Sequence, residues 1–279
     1  MSEAARSPDA SPWQAHEELE LTAENLDALF DNKIPAIRIR GFASAEECAQ
    51  VVDAIGTIGM QHVYHFKSAD GDALSDVTTG YIGLTHYNYR HKPTSAYLAE
   101  VPDAYAYRDR VFDRSFDAVG RMIEQLEAVS DRKIGGAAEP SGSGTLYAGV
   151  IRDASTGADL HADFAPYTAR GFQVGRIDAQ IGWNAWFDHP ETGGATTIHN
   201  RPWTPTFEGD EIPEQYPLDQ ALVAGAETYT YRPSPGDAIL FNTRNPHKIA
   251  GAAPGDIRSR LQVGSFIGRL PDGELVLWS

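Results

Sequence analysis

Two histidines and one aspartate form the pattern in this sequence with the clearest chemical potential. His161 and Asp163 lie two residues apart, and His247 follows far downstream. If residues 160–164 form a strand, His161 and Asp163 point to the same face, because side chains alternate along a strand. Two imidazoles and one carboxylate on a shared face can hold Fe(II) and leave coordination positions open. Because an isolated His-x-Asp triplet is weak, the surrounding sequence must distinguish a metal site from ordinary histidines.

Composition and charge exclude several classes of protein. The chain has 279 residues, of which 42% are hydrophobic, enough for a sizeable core. A formal net charge of −16 argues against binding to nucleic acid or anionic membranes, since both require a concentrated basic surface. No apolar run approaches the length of a membrane helix, and residues 1–14 are predicted to be a flexible tail without a signal peptide. The single cysteine, Cys48, favours a reducing, cytoplasmic location.

The N-terminal half, residues 15–143, is predicted to be a helical or mixed layer. Capping residues, hydrophobic spacing and alternation define its elements. The predicted helices are Thr22–Phe30, Ser44–Ile55 and Asp103–Val129, and the predicted strand is Ile34–Phe42.

From Gly144 onward, short β-rich runs alternate with Gly, Pro and Asp turns. The predicted strands are Leu146–Arg152, Asp159–Asp163, Phe172–Val174, Ala179–Phe187, Ala195–His199, Glu227–Tyr231, Asp237–Asn242, Arg258–Gly268 and Glu274–Trp278. Regular short strands indicate a β-sandwich or barrel. The expected fold is therefore mainly β with flanking helices, in a single domain over residues 15–279 whose β-core covers residues 144–279. The long segment Arg201–Ala226 is predicted to be an active-site lid.

Four features of this β-rich half follow one another in a particular order. They are His161-x-Asp163, the stretch Trp183–Ile198 containing Gly193-Gly194, the run Pro235–Asn242 followed by His247, and Arg258-Ser-Arg260-Leu261. This succession resembles the Fe(II)/2-oxoglutarate-dependent oxygenases. Within that superfamily it is similar to the small-molecule branch that contains the hapalindole-type aliphatic halogenase and the N-succinyl amino acid hydroxylase. His199-Asn200, Trp203 and the final Trp278-Ser279 add to the resemblance.

The resemblance implies a double-stranded β-helix core of the jelly-roll or cupin-like type. It also implies that His161, Asp163 and His247 bind Fe(II), with 2-oxoglutarate as co-substrate and O2 as oxidant. The implied reaction hydroxylates an aliphatic C–H and releases succinate and CO2. Related halogenases have Gly or Ala in place of the carboxylate so that chloride can bind iron. Asp163 therefore favours hydroxylation.

Two arginines downstream of His247 are candidates for the far carboxylate of 2-oxoglutarate, because the planar guanidinium matches a carboxylate. Resemblance to the family favours Arg258, whereas Arg260 could share the carboxylate, replace Arg258 or reach the substrate. Further candidates are Thr196 and Asn184 for the co-substrate, and Arg152, His199 and Trp203 for the substrate.

Several functions remain open from the sequence. The first is hydroxylation of a small metabolite such as an amino acid or a natural-product intermediate. Desaturation or cyclisation at the same site is a second, and a cupin-like metalloenzyme without 2-oxoglutarate is a third. A non-catalytic ligand-binding β-barrel with structural histidines is a fourth. The expected partner is a small molecule, and the oligomeric state is unknown.

Overall fold

Two β-sheets and a layer of helices make up the protein. The computed structural model describes residues 10–70, 73–206, 211–213 and 216–279, apart from the side chains of residues 64–70 and 73–78. The strands are β1 (Ile37–Ile39), β2 (His62–Asp70), β3 (Ala73–Ile82), β4 (Ile134–Gly136), β5 (Val150–Asp153), β6 (Ala158–His161), β7 (Ala179–Asp188), β8 (Thr196–His199), β9 (Thr228–Tyr231), β10 (Ala238–Phe241), β11 (His247–Ile249), β12 (Leu261–Arg269) and β13 (Leu275–Trp278).

The helices lie mainly in the N-terminal half. The α-helices are α1 (Ala23–Phe30), α2 (Ala45–Ile58), α3 (Thr94–Leu98), α4 (Val101–Phe112), α5 (Ala118–Val129) and α6 (Ala165–Thr168). Short 3-10 helices cover His86–Tyr89, Gln173–Arg176 and Gln220–Val223. Within the described residues, no helix is both long and apolar enough to cross a lipid bilayer.

The strand order places N-terminal and C-terminal segments in one sheet. The larger sheet runs β1-β10-β7-β12-β5-β3-β2, with β13 beside β12 and β4 beside β13. The smaller sheet runs β6-β11-β8-β9, and all of its pairs are antiparallel. Because β1, β2 and β3 complete a sheet whose centre comes from the C-terminal half, we propose that residues 15–279 form a single domain.

The central strand β7 separates the main core from a cavity. Its side chains alternate, as expected for a strand that is covered on both faces. Ile181 and Ala185 are fully or almost fully buried in the core that β7 shares with the helices. On the opposite face, Gln180 and Asn184 line the cavity between the two sheets, and Trp186 packs among residues of the smaller sheet. One face of the large sheet thus supplies stability and the other supplies the site.

One predicted strand is wrong in type, and one predicted helix is divided into two. Phe172–Val174 is not a strand, because the Gly175 N–H donates to the Phe172 carbonyl oxygen in a 3-10 turn at 3.0 Å. The predicted helix Asp103–Val129 is two helices, α4 and α5. The break occurs where the Asp117 side chain accepts hydrogen bonds from backbone N–H groups and starts α5 as its N-cap.

The predicted flexible tail is wrong for its last residues. The Trp13 side chain is buried, and its backbone N–H donates to the Glu227 carboxylate at 2.9 Å. The next residue, Gln14, donates its N–H to the Lys33 carbonyl oxygen at 2.8 Å. Burial of the large indole and these backbone bonds fix the chain from Trp13 onward. Residues 1–9 of the predicted tail lie outside the described residues.

Replacing Glu47 by glutamine is expected to lower the free energy of unfolding by about 1 kcal/mol at neutral pH. Glu47 completes a capping box with Ser44 at the start of α2 and pairs with Arg121 at 2.6 Å. The hydrogen bond from Arg121 is the main reason that the pKa of Glu47 falls to about 2 from 4.5. The contribution is therefore complete above about 4.5 and is lost as the pH falls towards 2.

Urea unfolding of wild-type protein and the Glu47→Gln variant across this pH range measures the effect. The difference between the two proteins should shrink as the pH falls. Glu46→Gln, an exposed neighbour in the same helical turn, is the matched control and should change stability by much less. A difference between wild type and Glu47→Gln that does not vary with pH would contradict the assigned ion pair.

Candidate metal centre and co-substrate pocket

The smaller sheet brings the two predicted histidine ligands together. His161 ends β6 and His247 begins β11, and the two are direct partners in the antiparallel pairing of these strands. Their ring centroids are 4.1 Å apart. Asp163 lies just beyond the end of β6, where its N–H donates to the Thr243 carbonyl oxygen at 2.8 Å. The aspartate therefore reaches the histidines from a fixed turn and not from the strand itself.

The donor atoms have the spacing that one metal ion requires. Asp163 Oδ2 is 3.8 Å from His247 Nε2 and 4.0 Å from His161 Nε2. Donors that bind one ion at about 2.0–2.2 Å lie no more than about 4.4 Å apart. Among the described residues, these three are the only group of metal-ligating side chains found close enough together to hold an ion. Their chemistry is the two-histidine, one-carboxylate set typical of Fe(II).

Backbone carbonyl groups orient both imidazoles. His161 Nδ1 lies 2.7 Å from the Asp159 carbonyl oxygen, and His247 Nδ1 lies 3.0 Å from that of Asn245. A carbonyl oxygen only accepts, so each Nδ1 carries the proton and donates. Each Nε2 then offers its lone pair on the side of Asp163. Hydrogen bonds of this kind fix tautomer and ring orientation in metal sites.

Burial shifts the pKa values of two of the candidate ligands. It raises the pKa of the Asp163 carboxyl above its usual value, while His161 and Arg152 oppose this shift. Burial, together with the neighbouring His161, lowers the pKa of His247 well below its usual value. His247 is thus neutral at physiological pH, which is the form that binds a metal. The residues present fit a divalent cation, whose charge would compensate the partly buried Asp163 carboxylate.

A cavity of about 480 Å³ opens beside these ligands, between the two sheets. Its size suits a co-substrate together with a small substrate. The sequence-predicted residues that line it are Arg152, His161, Asp163, Asn184, Thr196, His247 and Arg260.

Arg260 is the buried cation of this cavity, with a relative exposure of 1%. Its guanidinium donates to Thr196 Oγ1 at 2.9 Å, Gln262 Oε1 at 2.7 Å and the Gly194 carbonyl oxygen at 3.1 Å. These acceptors are all neutral. Burial lowers the pKa of Arg260 to about 10, so the side chain remains charged at neutral pH. A buried charge of this kind is costly unless an anion is bound, and the far carboxylate of 2-oxoglutarate would supply one.

The preference for Arg258 over Arg260 is wrong. Arg258 is exposed and does not line the cavity. Strand β12 begins only at Leu261, so the two arginines precede the regular strand and alternation does not place them on one face. The Arg260 N–H instead donates to Ser155 Oγ at 2.8 Å, and this contact turns its side chain inward.

Two predicted substrate residues also lie elsewhere. Trp203 is buried in a separate apolar cluster with Leu160 and Leu218, and it does not line the cavity. His199 is half-buried and likewise is not a lining residue, although it lies near enough to His247 to help lower its pKa. Both side chains therefore lie outside the lining of the cavity, and the structure does not bring them to the predicted substrate site.

Two parts of the cavity wall were not predicted from the sequence. Tyr216, within the segment predicted to be a lid, lies with its ring 5.4 Å from that of His161, and its hydroxyl accepts from the Asp159 N–H at 3.0 Å. The lid itself stays a prediction, since residues 207–210 and 214–215 lie outside the described residues. A second wall comes from the end of β3 and the following 3-10 helix, and its lining residues are Thr79, Thr85, His86, Tyr87, Asn88 and Arg90.

Comparison with solved structures identifies the fold. The chain superposes on an N-substituted L-amino acid dioxygenase from Burkholderia ambifaria AMMD with a TM-score of 0.57. The match covers 99% of this chain and 100% of the other at 15% identity. The same dioxygenase in complex with alpha-KG gives the same TM-score at 14% identity. The prediction of a mainly β, jelly-roll fold of the double-stranded β-helix type is confirmed.

Fold and site together define a non-haem Fe(II)/2-oxoglutarate-dependent oxygenase. Residues 15–279 match the family described as "Carrier-protein-independent halogenase WelO5", and the chain belongs to that family. An L-gamma-glutamyl-L-propargylglycine hydroxylase of Streptantibioticus cattleyicolor is 27% identical over 278 residues, which is 96% of each chain. The leucinostatins biosynthesis cluster protein S of Purpureocillium lilacinum is also 27% identical, over 72% of this chain and 85% of the relative.

Proposed function

We propose that the protein hydroxylates an aliphatic C–H of a small metabolite, using Fe(II), 2-oxoglutarate and O2. The observation that carries this proposal is the convergence of His161, Asp163 and His247 beside the buried guanidinium of Arg260, whose described acceptors are all neutral. When bound, iron with 2-oxoglutarate and O2 supplies an oxidant for unactivated C–H bonds, and 2-oxoglutarate leaves as succinate and CO2.

Each residue of the site has a separate role in this proposal. His161, Asp163 and His247 hold the metal on one side and leave the cavity side free for the other reactants. Arg260 binds the far carboxylate of 2-oxoglutarate and so fixes the co-substrate relative to the metal. Thr196 orients the Arg260 fork through its hydroxyl group. Asn184 lines the same cavity and is a further candidate contact for the co-substrate.

The carboxylate of Asp163 favours hydroxylation over the halogenation in the family's name. Halogenases of this type lack the carboxylate, so that chloride takes its place. Here Asp163 Oδ2 lies within 4.0 Å of both histidine Nε2 atoms and occupies the third ligand position. Desaturation or cyclisation would use the same site, and product analysis separates these outcomes.

The names of the relatives suggest a substrate class. One relative is a hydroxylase of a γ-glutamyl amino acid, and the structural neighbour is a dioxygenase of N-substituted L-amino acids. We therefore propose an amino acid derivative as the substrate. A cytoplasmic location fits the single, buried Cys48 and remains part of the proposal.

Anaerobic addition of Fe(II) and 2-oxoglutarate tests the proposed co-substrate. We expect a weak visible charge-transfer band that requires both components and disappears when a chelator removes the metal. Admission of O2 should then produce succinate in proportion to the 2-oxoglutarate consumed. A protein that binds Fe(II) but forms no band with 2-oxoglutarate would instead fit a cupin-like metalloenzyme that does not use this co-substrate.

A further inference from the structure

We propose that Arg152 is the substrate anchor of the cavity and that the substrate carries a carboxylate which binds to its guanidinium. This inference rests on the proposed function and specifies the chemical class of substrate that the site accepts. It follows from three observations: the environment of Arg152, the balance of charge in the cavity, and the position of Arg152 relative to the metal ligands.

Arg152 lines the cavity as a cation to which no described residue supplies a counter-ion. It lies on β5, between Gln262 of β12 and Tyr81 of β3 in the register of the sheet. Both strand neighbours are neutral, and the Gln262 side-chain oxygen already accepts from Arg260. Among the described residues, the Arg152 side chain forms no hydrogen bond or ion pair, although it is partly buried.

The acidic residue next in the chain does not neutralise it. Asp153 points to the opposite face of β5, because successive side chains alternate. Its carboxylate accepts from the Ser155 N–H at 3.1 Å and from the Ser155 hydroxyl. Arg90, another arginine of the cavity wall, differs from Arg152 because it is held in place. Its guanidinium stacks on the Tyr87 ring at 3.9 Å and donates to the Tyr87 carbonyl oxygen.

The charges of the loaded site balance without Arg152. Among the described lining residues the only acidic side chain is Asp163. The dication Fe(II), the dianion 2-oxoglutarate, the Asp163 carboxylate and the Arg260 guanidinium together sum to zero. Arg152 and Arg90 then remain as excess positive charges in a partly desolvated cavity, and of the two only Arg152 forms no hydrogen bond with a described residue. An excess charge in such a site favours an anionic ligand, even though the whole protein carries a net charge of −16.

The position of Arg152 would place a bound carboxylate in the same cavity as the candidate metal ligands. Arg152 lines the same cavity as the three candidate metal ligands and as His86 of the wall that follows β3. Burial lowers the pKa of His86 to about 4, so this imidazole is neutral and adds no further cation. A carboxylate on Arg152 thus holds the rest of a short substrate between the wall at His86 and the metal ligands.

Matched acid and amide ligands test the proposal. The probes are free, N-acetylated and γ-glutamylated aliphatic L-amino acids, each compared with the corresponding C-terminal carboxamide. Binding is measured by the perturbation of the anaerobic Fe(II)/2-oxoglutarate band, which does not depend on turnover. We expect at least one acid to bind and its amide to bind about 10- to 100-fold more weakly, since an ion pair replaces a neutral contact.

Substitution of Arg152 should remove this preference. Arg152→Gln is expected to weaken binding of the acid by a similar factor, leave the amide unchanged and retain the band given by Fe(II) and 2-oxoglutarate. Arg152→Lys should restore part of the preference. The control is Arg258→Gln, which removes one positive charge from an exposed position outside the cavity and should change neither ligand's binding.

Three results would overturn the proposal. The first is equal binding of acids and amides by the wild-type protein. The second is that the wild-type protein forms the Fe(II)/2-oxoglutarate band but none of the acids perturbs it. The third is loss of the band itself in Arg152→Gln, which would assign Arg152 to 2-oxoglutarate. Absence of the band in the wild-type protein is different, because it contradicts the proposed function and not the substrate class alone.

Discussion

Replacement of Asp163 by alanine is expected to lower hydroxylation and coupled succinate formation by more than about 100-fold. Loss of a hydrogen-bond partner of a metal ligand already costs about 10- to 100-fold in affinity or activity, and loss of a ligand itself should cost more. Asp163 is the only carboxylate within reach of His161 and His247 among the described residues. We expect weaker binding of Fe(II) as well, measured by metal analysis after anaerobic reconstitution.

The exposed Asp131 provides a matched control for this substitution. Asp131→Ala also removes one carboxylate but should retain iron and activity. Measurements in chloride-free buffer keep chloride from occupying the position that the carboxylate vacates. Full iron occupancy and wild-type turnover in Asp163→Ala would remove this residue from the metal site.

Replacement of Arg260 by alanine is expected to raise the KM for 2-oxoglutarate by about 100-fold or more. Loss of one partner of a buried, hydrogen-bonded charge pair costs about 2–5 kcal/mol, and each 1.4 kcal/mol is tenfold in affinity. The KM for the substrate should change far less, because Arg260 lies among Thr196, Gln262 and Gly194. Arg260→Lys should recover only part of the affinity, since an ammonium group cannot make the paired contacts of a guanidinium.

Thermal stability gives a second measure of the role of Arg260. 2-Oxoglutarate with Fe(II) should raise the Tm of the wild-type protein but not that of Arg260→Ala, because a ligand stabilises only the folded state that binds it. Arg258→Ala is the matched control and should behave as wild type in both assays. A large effect of Arg258→Ala with a small effect of Arg260→Ala would restore the choice made from the sequence.

The sequence favoured Arg258 as the arginine of the cavity, whereas the structure places Arg260 there. This difference illustrates the limit of sequence patterns in this protein. Alternation predicts direction only inside a regular strand, and the residues before Leu261 are irregular. The inward direction of Arg260 depends on the contacts of its backbone with Ser155 and of its side chain with Thr196. The contact with Ser155 joins residues about a hundred positions apart in the sequence, and the contact with Thr196 joins residues about sixty positions apart. No local pattern encodes contacts of this kind. In contrast, the convergence of the three candidate metal ligands was predictable because their chemical types and order are restrictive.

The same distinction applies to the fold. The start of α2 was predictable because the capping box formed by Ser44 and Glu47 is a local signal. The short strand β11 was not predicted, because it depends on pairing with β6 and β8 on either side. Trp203 was placed at the substrate from its position in a long loop, whereas its indole is buried in an apolar cluster with Leu160. The position of Trp203 is therefore determined by packing against residues that are distant in the sequence.

The metal ligands and the far wall of the cavity come from different parts of the chain. The ligands lie on the β-core, at residues 161–247, whereas residues 79–90 of the N-terminal half supply the wall that contains His86. Exchange of the short wall segment would therefore change the shape of the cavity without removing a candidate iron ligand. Grafting this segment between relatives offers a compact route to new products from one unchanged catalytic scaffold.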